Sequence, residues 1–165
     1  MPFWILAFSY WIHLLATVIW LGGLAVLALI ALPALRQQTL ERNQWIALQK
    51  RLTPWINGSL VLLLITGFVQ MTADEHYKGF LIFDSLWAWA LLIKHVVFIA
   101  LAAVTIYLQW VVQPQMDRLL MLAKQKPKLA AAEQEQLQHR EQRLLWVNLI
   151  LAVLILLFTA VMTAV

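Results

Sequence analysis

Two histidines carry most of the chemistry that this sequence offers. His13 lies in an uncharged run from Met1 to Leu35, and His95 lies in a later apolar segment, directly after Lys94. An imidazole nitrogen can exchange a proton or ligate a metal. Inside a stretch long enough to cross a bilayer such a group is costly, so it marks a functional site by default. The plainer alternative is a histidine that only hydrogen-bonds a neighbouring helix. With no cysteine in the chain, disulfides, thiolate metal sites and Fe–S clusters are excluded, and any transition metal must be held by His, Met, carboxylate or backbone.

The elements that must position these residues are membrane helices. Of 165 residues, 63% are hydrophobic and only 12% are charged, with nine Trp, a composition that points to an integral membrane protein in contact with the lipid bilayer. Four apolar segments, about 3–35, 54–73, 86–112 and 144–165, are each long enough to span as a helix. Four spans cannot close a barrel, so the fold class is all-α, a four-helix bundle forming one transmembrane domain over 1–165. The N-terminus lacks the basic n-region of a cleavable signal peptide and is expected to stay as the first helix.

Charge sets the expected topology. The connectors 36–53 and 113–143 hold most of the Lys and Arg, whereas the connector 74–85 holds one Lys and three acids. The positive-inside rule therefore places 36–53 and 113–143 in the cytoplasm, 74–85 outside, and both termini outside. The net charge of +4 belongs to these topology signals rather than to a nucleic-acid surface. Trp4, Trp11, Trp87 and Trp89 fall toward the outer interface and Trp45, Trp55, Trp110 and Trp146 toward the inner one, as an aromatic belt requires. After Pro127 the last connector is rich in Ala, Gln and Glu, which predicts that it continues the fourth helix, with His139 a solvated surface residue. Gly22, Gly23 and Gly67 offer places for helices to approach closely.

The two halves align as an internal repeat. His13 to Arg36 and His95 to Arg118 both span 23 positions, with Pro33 and Pro114 shortly before the Arg. Trp55-Ile56-Asn57 with Met71-Thr72-Ala73 matches Trp146-Val147-Asn148 with Met162-Thr163-Ala164. The first and third helices run in the same direction, so the halves would be parallel repeats about an axis along the membrane normal. At about 1.5 Å per residue both histidines lie about 34 Å above their Arg, near the outer edge of the hydrocarbon core. Two histidines at one height can ligate one ion between them, and Met71 and Met162 should reach a similar height.

The motifs "HLLATVIWLGGL" and "LLIKHVVFIAL", with four helices and a basic last connector, resemble the copper resistance protein D (CopD) domain family over nearly the whole chain. CopD itself is a larger protein associated with copper uptake, of which this chain would correspond to the membrane domain. A His in the first helix and a Lys in the third, here His13 and Lys94, are more distantly similar to the HemJ-type membrane proteins, a resemblance that implies haem binding.

Three chemistries stand open. The first is haem b held by His13 and His95, with Lys94, Lys78 or an interfacial Trp near its propionates, serving electron transfer or redox chemistry with a redox partner protein or a quinone. No Cys-x-x-Cys-His exists for covalent attachment. The second is copper, bound with haem or alone, for which His13, His95, Met71 and Met162 are soft or borderline ligands and His76 is a capture site. The third is a structural subunit whose histidines only pair helices. A bacterial plasma membrane with the site near the periplasmic face fits the first two, and a homo-oligomer is compatible with all three.

Overall fold

The computed structural model describes residues 2–75, 77, 79, 85–123 and 127–164. Among them the chain is helical almost throughout. Helix α1 (Phe3–Ala25) passes through a wide π-helical segment (Val26–Ala31) into the short α2 (Leu32–Arg36). The second membrane helix is α3 (Arg42–Ala73). The third begins as α4 (Leu86–Tyr107), passes through a second π-helical segment (Leu108–Val112) and ends as α5 (Gln113–Ala123). The fourth is α6 (Pro127–Ala164). Four stretches, Phe3–Arg36, Arg42–Ala73, Leu86–Leu119 and Glu133–Ala164, are long and apolar enough to cross a membrane.

The helices outrun the apolar segments that announce them. Helix α3 begins at Arg42 rather than near Pro54, because Glu41 and Gln44 form a capping box in which the Gln44 side chain accepts from the Glu41 backbone N–H at 3.1 Å. The polar stretch from Arg42 to Thr53 is thus the first three turns of a helix. Between α2 and α3 the chain turns through Gln38, whose φ of 59° puts it in the left-handed region.

The π-helical segments fall at equivalent places in the two halves. Each starts thirteen positions after its histidine, at Val26 and at Leu108, and each ends two positions before a proline, Pro33 or Pro114. A proline ring collides with the carbonyl four residues earlier and donates no hydrogen bond to it. Those carbonyls belong to Leu29 and Trp110, inside the π segments, where the widened turn gives the ring room. The repeat therefore extends from side chains to backbone.

Helix α3 packs along α1, and α6 along α4, so the bundle is a pair of hairpins. Contact between hairpins runs mainly through α1 and α6, whereas α3 and α4 meet only sparsely. Gly23 lets the first hairpin close, since a Cβ there would lie 2.8 Å from Ile56 Cγ1. The core, with Trp20, Leu24, Leu32, Leu101, Val112 and Ala152, is concentrated below the histidines. The outer faces expose large apolar side chains such as Val18, Ile30, Ile99 and Trp110, as a surface in contact with lipid does.

Polar ties hold the hairpins together. Near the level of Trp55 and Trp110, Asn57 and Gln109 exchange two amide hydrogen bonds of 2.8 and 2.9 Å between α3 and the π segment of the third helix. At the end that carries the basic residues, the Glu141 carboxylate is buried and accepts from Arg42 (2.9 Å), Trp45 Nε1 (3.1 Å) and Gln49 (2.9 Å). Next to it Arg36 donates to Gln142 at 2.6 Å. This corrects the aromatic belt: Trp45 is fully buried because its indole N–H serves Glu141, and Trp87 is buried in a small cluster at the opposite end. Trp4, Trp11, Trp55, Trp89, Trp110 and Trp146 are exposed as interfacial residues would be.

Glu141→Leu would strand the Arg42 guanidinium and two N–H donors, and removing one partner of a buried pair costs about 3–5 kcal/mol. Titrating the folded protein in mixed micelles with a denaturing detergent should show that loss. The double variant Arg42→Met/Glu141→Leu, which removes both charges, should recover most of it.

Candidate functional site

The site is built where α1, α3 and α4 come together at the histidine end. His13 Nδ1 lies 2.7 Å from Thr66 Oγ1 on α3. Thr66 is buried, and its hydroxyl lies 2.6 Å from the Leu62 carbonyl of its own helix. A carbonyl can only accept, so the single hydroxyl proton goes to Leu62, and Thr66 Oγ1 accepts the proton of His13 Nδ1–H. The Nε2 atom of His13 has no hydrogen-bond partner among the described residues.

His95 reaches the same state by another route. Its Nδ1 lies 2.8 Å from the Leu91 carbonyl, one turn earlier in α4. The carbonyl accepts, so His95 also bears a proton on Nδ1, and its Nε2 has no hydrogen-bond partner among the described residues. Both imidazoles are therefore fixed in orientation by an oxygen partner on Nδ1, as ligating histidines commonly are. His13 is held across the first hairpin and His95 within its own helix, so the repeat conserves the tautomer but not the partner.

The two rings sit against one turn of α3. A Cβ on Gly67 would lie 3.8 Å from His13 Cε1, an ordinary contact that the glycine leaves open. The Phe68 ring stands 6.2 Å from that of His95, tilted by 60°. Thr66, Gly67 and Phe68 are consecutive, so they set the two histidines at one level. Both rings are partly exposed, as is Lys94. Among the described residues no hydrogen bond or ion pair involves Lys94.

The methionines expected at this height are also brought together. Met71 is buried with Trp87, Ala88 and Leu91, and Met162 packs against the same cluster. Because Leu91 also supplies the carbonyl that holds His95, this cluster is one turn above that ring. His76 and Lys78 lie outside the described residues. Among the described residues no group of three or more His, Cys, Asp or Glu gathers for a metal ion. Any metal here relies on two imidazoles supplemented by thioether or by ligands of its own.

Thr66 is the site residue that the sequence did not single out. Threonine in a membrane helix ordinarily bonds back to a carbonyl of its own helix, and Thr66 does so; the second bond, from His13, joins residues 53 positions apart. The available signal was a hydroxyl on the second helix at the height of the histidines. Glu141 and Gln49 were likewise not singled out, and Trp45 was read only as interfacial, since their partners are more than 90 positions away.

Nitrogen-15 NMR of histidine-labelled protein above pH 8 should show both rings protonated on Nδ1. Thr66→Val, close in shape but without the acceptor, should let His13 drift toward the Nε2–H tautomer and leave His95 unchanged; equal behaviour of the two rings would contradict the assignment. No family model, curated protein or solved structure matches this chain, so its geometry carries the functional reading unaided.

Proposed function

We propose that this protein is a membrane cytochrome of the b type, with haem held by His13 and His95 near the outer face, and that it serves electron transfer. The observation that carries this reading is the pair of imidazoles set against one turn of α3, each with Nδ1–H tied to a protein oxygen and with Nε2 unpartnered among the described residues. Nε2 is the nitrogen such a ring offers to a metal when the other is engaged. The donor set fits haem: two nitrogen ligands complete an iron already held by four, whereas a bare ion would need more ligands than the described residues gather here.

The chain's own groups have definable tasks. Thr66 and the Leu91 carbonyl hold the ring planes and, by accepting the Nδ1 proton, make each Nε2 a stronger donor. Lys94 supplies an unpaired ammonium for an acidic substituent such as a propionate. The sparse meeting of α3 and α4 leaves the two histidine-bearing halves joined less tightly here than within each hairpin, and a shared cofactor would add to that join. Bound haem supplies a one-electron couple whose potential depends on the axial ligands and their hydrogen bonds. The excess of Arg and Lys at the opposite end of the bundle supports an outward-facing histidine end by the positive-inside rule, which in a bacterial plasma membrane is the periplasmic side. A quinone in the outer leaflet or a redox protein at that face would be the exchange partner.

Copper handling is a second reading, favoured by the shared packing of Met71 and Met162 one turn from His95 and by the resemblance to the CopD domain. Thioether and imidazole suit Cu(I).

The visible spectrum of detergent-purified protein, oxidised and dithionite-reduced, with metal analysis of the same sample, separates the readings. The expected result is a Soret band with sharp reduced α and β bands, together with haem retention that falls at least tenfold, by order of magnitude, in His13→Ala and in His95→Ala. Full haem occupancy in the double His→Ala variant would overturn the ligand assignment. A colourless protein with stoichiometric copper that is lost on substituting Met71 and Met162 would establish the second reading.

A further inference from the structure

At the opposite end of the bundle α5 and α6 diverge around an open cleft of about 970 Å³, which the histidine site does not use. Its basic lining is Arg118 from α5 with His139, Arg140 and Arg143 from α6. The one described carboxylate on its wall is Glu133. Glu133, Gln136, Arg140 and Arg143 recur at three- and four-residue steps and so share one helix face. Arg118, Arg140 and Arg143 are exposed, and the ion pairs among the described residues involve none of them. The Arg140 guanidinium lies 5.1 Å from the centre of the Tyr107 ring, which fixes it on the wall nearest the apolar spans.

We propose that this cleft binds the phosphate of an anionic phospholipid headgroup. Its depth relative to the bilayer argues for lipid. Trp110 and Trp146 are exposed interfacial residues, and Arg143 lies three residues beyond Trp146, or roughly 4.5 Å along the helix. That is within a headgroup layer roughly 5–8 Å deep on each side of the hydrocarbon core. Arg118 lies deeper in the aqueous phase, and its long side chain can reach back toward the interface. Glu133 is ten residues before Arg143, about 15 Å farther from the membrane. The end of the cleft next to the lipid is therefore cationic, with planar donors suited to phosphate oxygens. This site is independent of whether haem or copper occupies the other end.

The test is native mass spectrometry of the full chain extracted from vesicles of phosphatidylcholine containing one-fifth phosphatidylglycerol. The wild type should retain phosphatidylglycerol in preference to phosphatidylcholine, and Arg118→Gln/Arg140→Gln/Arg143→Gln should retain about tenfold less. Arg118→Gln alone, at an exposed position, should lose part of the preference with unchanged helical circular dichroism, which separates loss of binding from loss of fold. Equal retention by wild type and triple variant would overturn the proposal. So would displacement of the lipid by millimolar inorganic phosphate, which would make a soluble phosphate the occupant.

Discussion

Lipid gives helices no hydrophobic reason to associate, since acyl chains are as apolar as the side chains that face them. This bundle therefore depends on what its helices offer one another besides apolar surface: close approach at Gly23, amide pairing of Asn57 with Gln109, and the Glu141 network. The last is the most consequential. A carboxylate buried without partners would be intolerable, yet with three donors around it Glu141 joins the start of α3 to α6 and sets the two hairpins in register. Everything above that tie inherits the register, including the level at which His13 and His95 face α3.

The ties are unevenly distributed. The basic end has charge and indole hydrogen bonds with the amide pair just above them, and the histidine end has bonds that orient rings more than they join halves. His95 bonds only to its own helix, and His13 to its own hairpin. Ties at one end and an unjoined pair of histidines at the other are the arrangement expected under the proposed function, in which a cofactor would contribute the missing cross-link. It would let occupancy of the site be felt in the stability of the whole bundle.

How much of this was legible in the sequence follows from the range of each interaction. The four spans and the common height of the histidines rest on local hydropathy and on counting along a helix, which a single chain displays directly. The Pro33 and Pro114 matches announced the repeat, but not that each proline widens the turn before it. The polar start of α3 read as a connector because hydropathy registers which residues favour lipid, not which backbone is helical. Thr66, Glu141 and Trp45 take their roles from partners far along the chain, and Trp45 in particular is interfacial by type but buried by partnership. The resemblance to copper and haem families rests on short apolar motifs and remains a reason to test those cofactors.

The paired π-helical segments bear on how the two ends of each half relate. One residue more per turn advances the azimuth of everything beyond it by about 100° about the helix axis. The face on which Arg36 meets Gln142 is thus not the face that an unbroken α-helix from His13 would have presented, and the same holds for the third helix beyond Leu108. Each long helix behaves as two rods joined by a phase shift. The histidine end and the charged end can face different neighbours, and the residue count between them becomes as constrained as the residues themselves.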